Sequence, residues 1–265
     1  MGGVNPWNPE GSPLRNVQLE MLEMMKYLDD ICRSHDIQYM LNGGSALGAV
    51  RHKGFIPWDD DMDIALLEPD YKRLVKVLIS LDSDKYVLHC QQTDFNYVNA
   101  FPKFRKREGN FMGSFPNRGR LYKWRGPGID IFCFQHSSYY AAYLASAIRG
   151  RLVNWTWRIR QANIRRLTTK LMFALYACVK PFIIVLNIFS RKGELHNAMG
   201  MGWPQHYIWE QHLKPFVLTD FEDTQFPVPN NYDAFLTGLY GDWRTPPTAE
   251  EIKKTGTHSK ELTNI

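Results

Sequence analysis

Four aspartates stand almost side by side in the first quarter of this chain, Asp59, Asp60, Asp61 and Asp63, between Ile56-Pro57-Trp58 and Ile64-Ala65-Leu66-Leu67. Carboxylates that close repel one another unless something positive sits among them. A fold that keeps them beside an apolar run must leave them in water as an acidic turn or supply a cation. Alternate residues of a strand share a face, about 6–7 Å apart. Read as a strand, residues 58–67 place Asp59, Asp61 and Asp63 on one face and turn Met62, Ile64 and Leu66 toward the core. Convergent carboxylates suit magnesium or manganese, hard cations that take oxygen ligands and keep waters or phosphate oxygens in their shell. A calcium loop of the EF-hand type fails, because it would need a glycine where Ile64 stands and a glutamate where Asp70 stands.

Upstream, Gly43-Gly44-Ser45 follows a short apolar run, residues 37–42, that reads as a strand. The glycines match neither a Walker loop nor G-x-G-x-x-G. Such a pair serves a tight turn, or lets a phosphate approach the backbone N–H groups. Beside a carboxylate-held cation, a phosphate cradle is the equipment of phosphoryl or nucleotidyl transfer. Between the two motifs lie Arg51, His52 and Lys53, either a solvated basic turn or, with Arg51 foremost, a grip on phosphate. Asp130 is the one acid in the apolar run 128–134. It has a structural hydrogen-bond partner, or it completes the metal site, or it accepts a proton from an attacking hydroxyl. Lys103 and Arg105 alternate along a further strand-like run and either point at the same nucleotide or form a solvated basic face.

The 265 residues, 44% hydrophobic, are enough for a full core and one elaborated domain. A formal charge of +5 suits an anionic partner. The four cysteines are scattered without a CxxC pair, so neither a zinc site nor a disulfide framework is expected. The first residues lack a basic region followed by an apolar one, so no secretory leader is expected. Apolar spacing at Leu14, Val17, Met21, Met24, Leu28 and Ile31 predicts an amphipathic helix, and Pro69 opens a second one. From His136 the texture changes to arginines, aromatics and apolar residues with almost no acids. The organisation expected is α+β, a catalytic core over 1–135 and 203–265 with a helical insertion over 136–202. Residues 171–190 approach a membrane-spanning length, but Lys180-Pro181 interrupts them. With the arginines and tryptophans upstream they suit an interfacial helix on anionic lipid, or burial against the core. Nothing resembles a nucleic-acid module, and no nucleic-acid partner is expected.

The stretch GGSALGAVRHKGFIPWDDDMDIAL resembles the signature of the LicD family of phosphocholine transferases, to which fukutin and the fukutin-related protein are also similar. Family members generally show Gly-Gly-Thr-Leu-Leu-Gly, an Arg-His pair, then Gly-Phe-Ile-Pro-Trp-Asp-Asp-Asp with another aspartate two residues on. Here Ser45 and Ala46 replace the usual threonine and leucine. The resemblance takes in the preceding helix, GIDIFCF, and the tail FEDTQFPVPNNYDAFLTGLYGDWRTPP with His258, roughly the first half and last quarter of the chain. It implies a nucleotidyltransferase-like small mixed sheet flanked by helices. It implies a magnesium- or manganese-dependent phosphotransferase that moves a phospho-alcohol from a CDP-activated donor such as CDP-choline onto a sugar hydroxyl, releasing CMP. The acceptor expected is a cell-surface glycan precursor or lipid-linked oligosaccharide, as for lipopolysaccharide, teichoic acid or capsule. The enzyme would sit in the cytoplasm, peripheral at the inner face of the membrane. In that reading Asp59, Asp61 and Asp63 hold metal, Gly43, Gly44, Ser45, Arg51, Lys103 and Arg105 bind substrate, and Asp130 joins Asp61 and Asp63 in catalysis. A choline headgroup would want aromatic faces, for which Trp58, Tyr122, Trp124 and Trp243 are available. Rival readings share the motif: transfer of another phospho-group (glycerol-, ribitol- or sugar-phosphate), nucleotidyl transfer with pyrophosphate release, and an idle membrane-docked assembly subunit.

Overall fold

The long helix α1 (Pro13–Ser34) begins where Ser12 accepts the Arg15 N–H at 3.2 Å and Pro13 fills a first-turn position that needs no N–H. Its inner face buries Leu14, Met21, Met24, Met25, Leu28 and Cys32, together with two polar residues, Gln18 and Asp29. That face packs on a sheet whose buried residues include Met62, Ile64, Leu66, Ile129 and Ile131. Full burial of each such side chain contributes about 1.5–3 kcal/mol. The computed structural model describes residues 7–111, 120–198 and 208–255; His258 and the 202/203 boundary lie outside them.

The sheet is mixed. Strand β1 (Met40–Leu41) runs antiparallel to β2 (Met62–Leu67), and β2 runs parallel to β5 (Gly128–His136). On the other edge of β5 lies β4 (Lys103–Lys106), and beyond it β3 (Tyr86–His89), both pairs antiparallel. Two short helical segments, α2 (Gly43–Leu47) and a π-helical turn over Gly48–His52, follow β1. Helix α3 (Glu68–Ile79), with Pro69 in its first turn, follows β2. The fold class is α+β, as expected. The strand expected over 58–67 is shorter than its pattern suggests. Asp59 N–H closes a turn on the Ile56 carbonyl at 3.0 Å, and the ladder starts only at Met62.

Beyond β5 the chain forms an antiparallel helical pair, α4 (Tyr139–Trp157) and α5 (Ala162–Val185), and α5 continues through Pro181. It returns as β6 (Glu194–Asn197), which pairs with the end of β5 through His136 and Leu195 and with β7 (Ile208–Trp209). Both ends of the helical pair are therefore anchored at the C-terminal end of β5, an interior strand of the sheet. A short helix α6 (Glu210–Leu213), a hairpin β8 (Val217–Phe221) to β9 (Thr224–Val228), and helices α7 (Tyr232–Tyr240) and α8 (Ala249–Thr255) complete the described chain.

The β8–β9 turn clamps the segment that leads into the acids. Glu222, at φ 56°, donates its N–H to the Lys53 carbonyl at 2.7 Å. Its carboxylate accepts from the Phe55 N–H at 3.1 Å and from Arg15 at 2.7 and 3.0 Å. Burial works against that charge, but Arg15 and the Phe55 N–H outweigh it and hold the carboxyl below its ordinary range. Under the clamp a Cβ on Gly48 would stand 2.4 Å from the Gly54 carbonyl oxygen, which is backbone and cannot swing aside. Gly48 has helical dihedrals, φ −58° and ψ −50°, so propensity alone predicts that alanine there gains about 1 kcal/mol. We expect the opposite sign: Gly48→Ala should lower stability by about 1–3 kcal/mol through overpacking, read as a lower urea midpoint at unchanged slope.

Candidate active site

The registers of β2, β5 and β4 place the predicted residues together. Asp63 lies opposite Asp130 in the parallel β2–β5 ladder, Asp130 opposite Lys103 in the antiparallel β5–β4 ladder, and Arg105 opposite Gly128. Directly paired residues point to the same face of a sheet, so Asp63, Asp130, Lys103 and Arg105 share one face. Lys103 Nζ forms an ion pair with Asp130 Oδ1. Arg105 is buried, and its guanidinium donates to the Gly126 carbonyl.

Ahead of β2 the acids do not alternate as they would in a strand. Because of the turn at Ile56–Asp59, Asp60 is turned inward and only 4% exposed, and oxygens of Asp59, Asp60 and Asp61 lie within 4.8 Å of one another. Sequence reasoning passed over Asp60 because it assumed extended backbone. Gln18 of α1 fixes the turn, donating to the Ile56 and Asp59 carbonyls at 3.2 and 2.8 Å while Asn8 donates to Gln18 Oε1 at 2.8 Å. The sequence signal for Gln18 is a polar residue in a largely apolar stripe.

The glycine pair lies against these carboxylates. A Cβ on Gly44 would stand 2.6 Å from Asp59 Oδ2, and one on Gly43, at φ 52°, would stand 3.1 Å from Asp63 Oδ2 and 3.6 Å from the Tyr240 hydroxyl. Ser45 Oγ accepts the Asp63 N–H at 2.8 Å. Arg51 stands at the rim, with one nitrogen on the Trp243 carbonyl at 2.7 Å and Nε on His52 Nε2 at 3.0 Å. Burial, then the neighbouring Arg51, lowers His52 to about 4, so its imidazole is neutral and accepts from the guanidinium. Tyr240, at the end of α7, reaches the same cluster. Almost half of this residue is exposed, yet its recessed hydroxyl is held protonated by burial and then by Asp63, Asp59 and Asp61. Of the four aromatics, Trp124 already has Lys123 Nζ 4.5 Å from its ring centre, Tyr122 has Arg165 at 5.4 Å, and Trp243 has Arg244 at 4.5 Å. Trp58, beside Asp59, meets the rings of His52 and Trp7 edge to face.

Burial raises Asp59, Asp61 and Asp63, and their neighbouring carboxylates raise them further. Asp130 is raised by burial as well, although Lys103 and Arg105 pull it back. A carboxyl raised in the folded state stabilises it below the unfolded value, near 4, and loses that contribution as pH climbs through the folded value. Such a donor set, oxygen-only and short of protein cations, fits a hard divalent ion. His52 acts in the other direction, since a lowered imidazole makes stability rise with pH between about 4 and 6.5. Above about pH 6.5 His52 no longer changes the balance, and in chelator the melting temperature carries the cost of the ionised carboxylates. Asp63→Asn should raise it at pH 8 by roughly 2–4 °C for each kcal/mol of repulsion removed. Magnesium or manganese should lift the parent chain much more than this variant.

Residues 36–145 match the family model described as LicD/FKTN/FKRP, nucleotidyltransferase domain. The chain is 26% identical over 264 residues to the lipopolysaccharide cholinephosphotransferase LicD of Haemophilus influenzae, an alignment covering 91% of this chain and 94% of that protein. Over 48 residues it is 40% identical to the human ribitol 5-phosphate transferase FKRP, covering 18% of this chain and 10% of the relative. An uncharacterized protein of Rickettsia prowazekii, RP689, is 28% identical over 135 residues, 43% of this chain and 49% of that one. Residues 36–145 are therefore similar to the domain that LicD, fukutin and the fukutin-related protein share, and the similarity to LicD runs on over most of the chain.

Proposed function

We propose that this chain is a transferase that moves a phospho-alcohol, phosphocholine in the first instance, from a CDP-activated donor to a sugar hydroxyl of a cell-surface glycan precursor, releasing CMP. The observation that carries this reading is the shared face of Asp63, Asp130 and Lys103 beside the Asp59–Asp61 cluster and the glycine pair. Its weight comes from the near end-to-end alignment with a protein named as a cholinephosphotransferase.

Asp59, Asp60, Asp61 and Asp63 would hold magnesium or manganese. When bound, such an ion neutralises charge that builds on a diphosphate as its leaving group departs. The chain's own residues do the rest. Backbone N–H groups at Gly43 and Gly44 and the Ser45 hydroxyl are donors at the start of α2 for phosphate oxygens. Arg51 guards the rim on the tail side, and Lys103 and Arg105 line the sheet side. The acceptor hydroxyl oxygen attacks the phosphorus that bears the alcohol, the bond from that phosphorus to the CMP oxygen breaks, and the hydroxyl proton passes to Asp130. Lys103 holds Asp130 in place and keeps more of it ionised. A lipid-linked acceptor would place this reaction at the inner face of the cell membrane.

The family model's own description favours a second reading, nucleotidyl transfer. Product analysis separates the two. With CDP-choline, magnesium and a glycan acceptor, the proposal expects free CMP and a phosphocholine-bearing acceptor; nucleotide on the acceptor and free pyrophosphate from a nucleoside triphosphate would replace it. Asp61→Asn and Asp63→Asn should each lower turnover on the order of 10²–10³-fold, the scale for losing one element of transition-state electrostatics. Lys103→Met should move the acidic limb of the kcat/KM profile to higher pH, because Asp130 without its cation ionises later. An unmoved limb would remove Asp130 from the role of base.

A further inference from the structure

The α4–α5 pair exposes a surface that the active site does not use. From Ser137 to Gly193 the chain contains no aspartate or glutamate and ten lysines and arginines. The inner stripe of α5 buries Arg165, Thr169, Met172, Tyr176 and Ile183. Its outer stripe, Ile164, Leu167, Leu171, Leu175, Phe182 and Val185, keeps spacings of three, four or seven residues and is 46–77% exposed when the next apolar neighbour, Ile184, is included. Ile188 and Phe189 continue it past the helix end. Arg166 and Lys170, both exposed, flank the stripe, and Arg151 on α4 and Arg158 just past its end are exposed as well. An apolar surface of this extent on a helix face marks an interaction site.

By length and composition residues 162–189 could cross a bilayer, but the way the pair is tied down forbids it. At one end Ser138 Oγ donates to the Leu186 carbonyl at 2.7 Å, and β5 and β6 pair next to it. At the other end the Trp157 indole donates to the Tyr122 hydroxyl at 3.4 Å and Arg165 stacks on the same ring. Midway, Val153 and Met172 pack on Val98. Helix α5, about 36 Å long by its rise per residue, is thus held lengthwise along the catalytic unit with its apolar stripe outward.

We propose that this outward face docks in the plane of an anionic lipid bilayer, with the leucine and phenylalanine stripe in the headgroup–acyl boundary and the lysines and arginines on lipid phosphates. Charge selects the occupant. A second copy would bring another acid-free, ten-cation segment against the first, whereas an anionic leaflet complements both the apolar stripe and its flanks. The inference deepens the phospho-alcohol reading by naming the surface that would meet a lipid-linked acceptor. Tyr122, which touches the hairpin's turn, also packs on Tyr97 at 5.1 Å, and Tyr97 feels the charge of Asp130.

The test is flotation of the full chain with vesicles of phosphatidylcholine alone or with roughly a third phosphatidylglycerol. We expect flotation with the anionic vesicles and little with the neutral ones. Leu171→Glu/Leu175→Glu should reduce the bound fraction about tenfold or more, with an unchanged melting curve because both side chains are exposed in the parent. Arg166→Glu/Lys170→Glu should lose the preference for anionic vesicles. Equal flotation of the parent and the leucine variant, no flotation of the parent, or a parent dimer that the leucine variant splits without any vesicle binding would each overturn the proposal. Transfer to a soluble glycan, assayed without vesicles, reports on the reaction separately, so docking can fail while the chemistry stands, and the reverse.

Discussion

Everything else in this fold answers to the mutual repulsion of carboxylates held close together. Asp59, Asp60 and Asp61 bring oxygens within 4.8 Å, and Asp63 and Asp130 sit on paired positions of neighbouring strands. Two unit charges about 4 Å apart near a protein surface repel by about 4 kcal/mol, a large fraction of the net stability of an ordinary domain. A flexible loop would relax that repulsion by moving apart. Here it cannot, because Gln18 holds the turn from α1, Ser45 holds the start of β2, and Glu222 holds Phe55 from a distant hairpin. The close approach of Gly48 to Gly54 belongs to the same restraint. Stability in the surrounding structure is used to keep a strained electrostatic arrangement in one geometry.

That division explains what could be read from the chain before its structure. Periodicity reports how side chains meet apolar surface, so α1, α3, the strand around Lys103 and the apolar run from Gly128 were legible. Asp61, Asp63 and Asp130 stood out because acids beside apolar runs are costly without a purpose. Asp60 did not, since period-two reasoning holds only in extended backbone and the chain turns at Ile56–Asp59. Gln18 and Glu222 act through hydrogen bonds to backbone 38 and 167 residues away, and no local pattern encodes such partners. The strand β6 was hidden for a related reason: Glu194 to Asn197 follow a long helical texture, and only pairing with β5 and β7 makes them a strand.

The glycine pair needs a fuller account than either sequence reading gave it. A turn or a phosphate cradle would each explain two adjacent glycines, but the structure adds a third demand. Any side chain at position 44 would collide with Asp59, and one at 43 would crowd Asp63 and the Tyr240 hydroxyl. The missing side chains therefore first let the acids come close to the start of α2. The same openness leaves the start of α2 beside a strongly negative neighbourhood.

This neighbourhood constrains what can bind. Against the five carboxylates Asp59, Asp60, Asp61, Asp63 and Asp130, this face offers Lys103 and Arg105, and Lys103 is committed to Asp130 while Arg105 donates to a backbone carbonyl. A diphosphate brought to such a surface meets repulsion from nearly every direction. Backbone dipoles at one short helix start are worth at most about 2 kcal/mol against it, less than one close pair of like charges. An anionic donor can therefore be held here only with added positive charge shared between it and the aspartates. In the proposed reaction that excess of acid would tie donor binding to a divalent ion, so the most costly feature of the structure would also be the one that sets its chemistry.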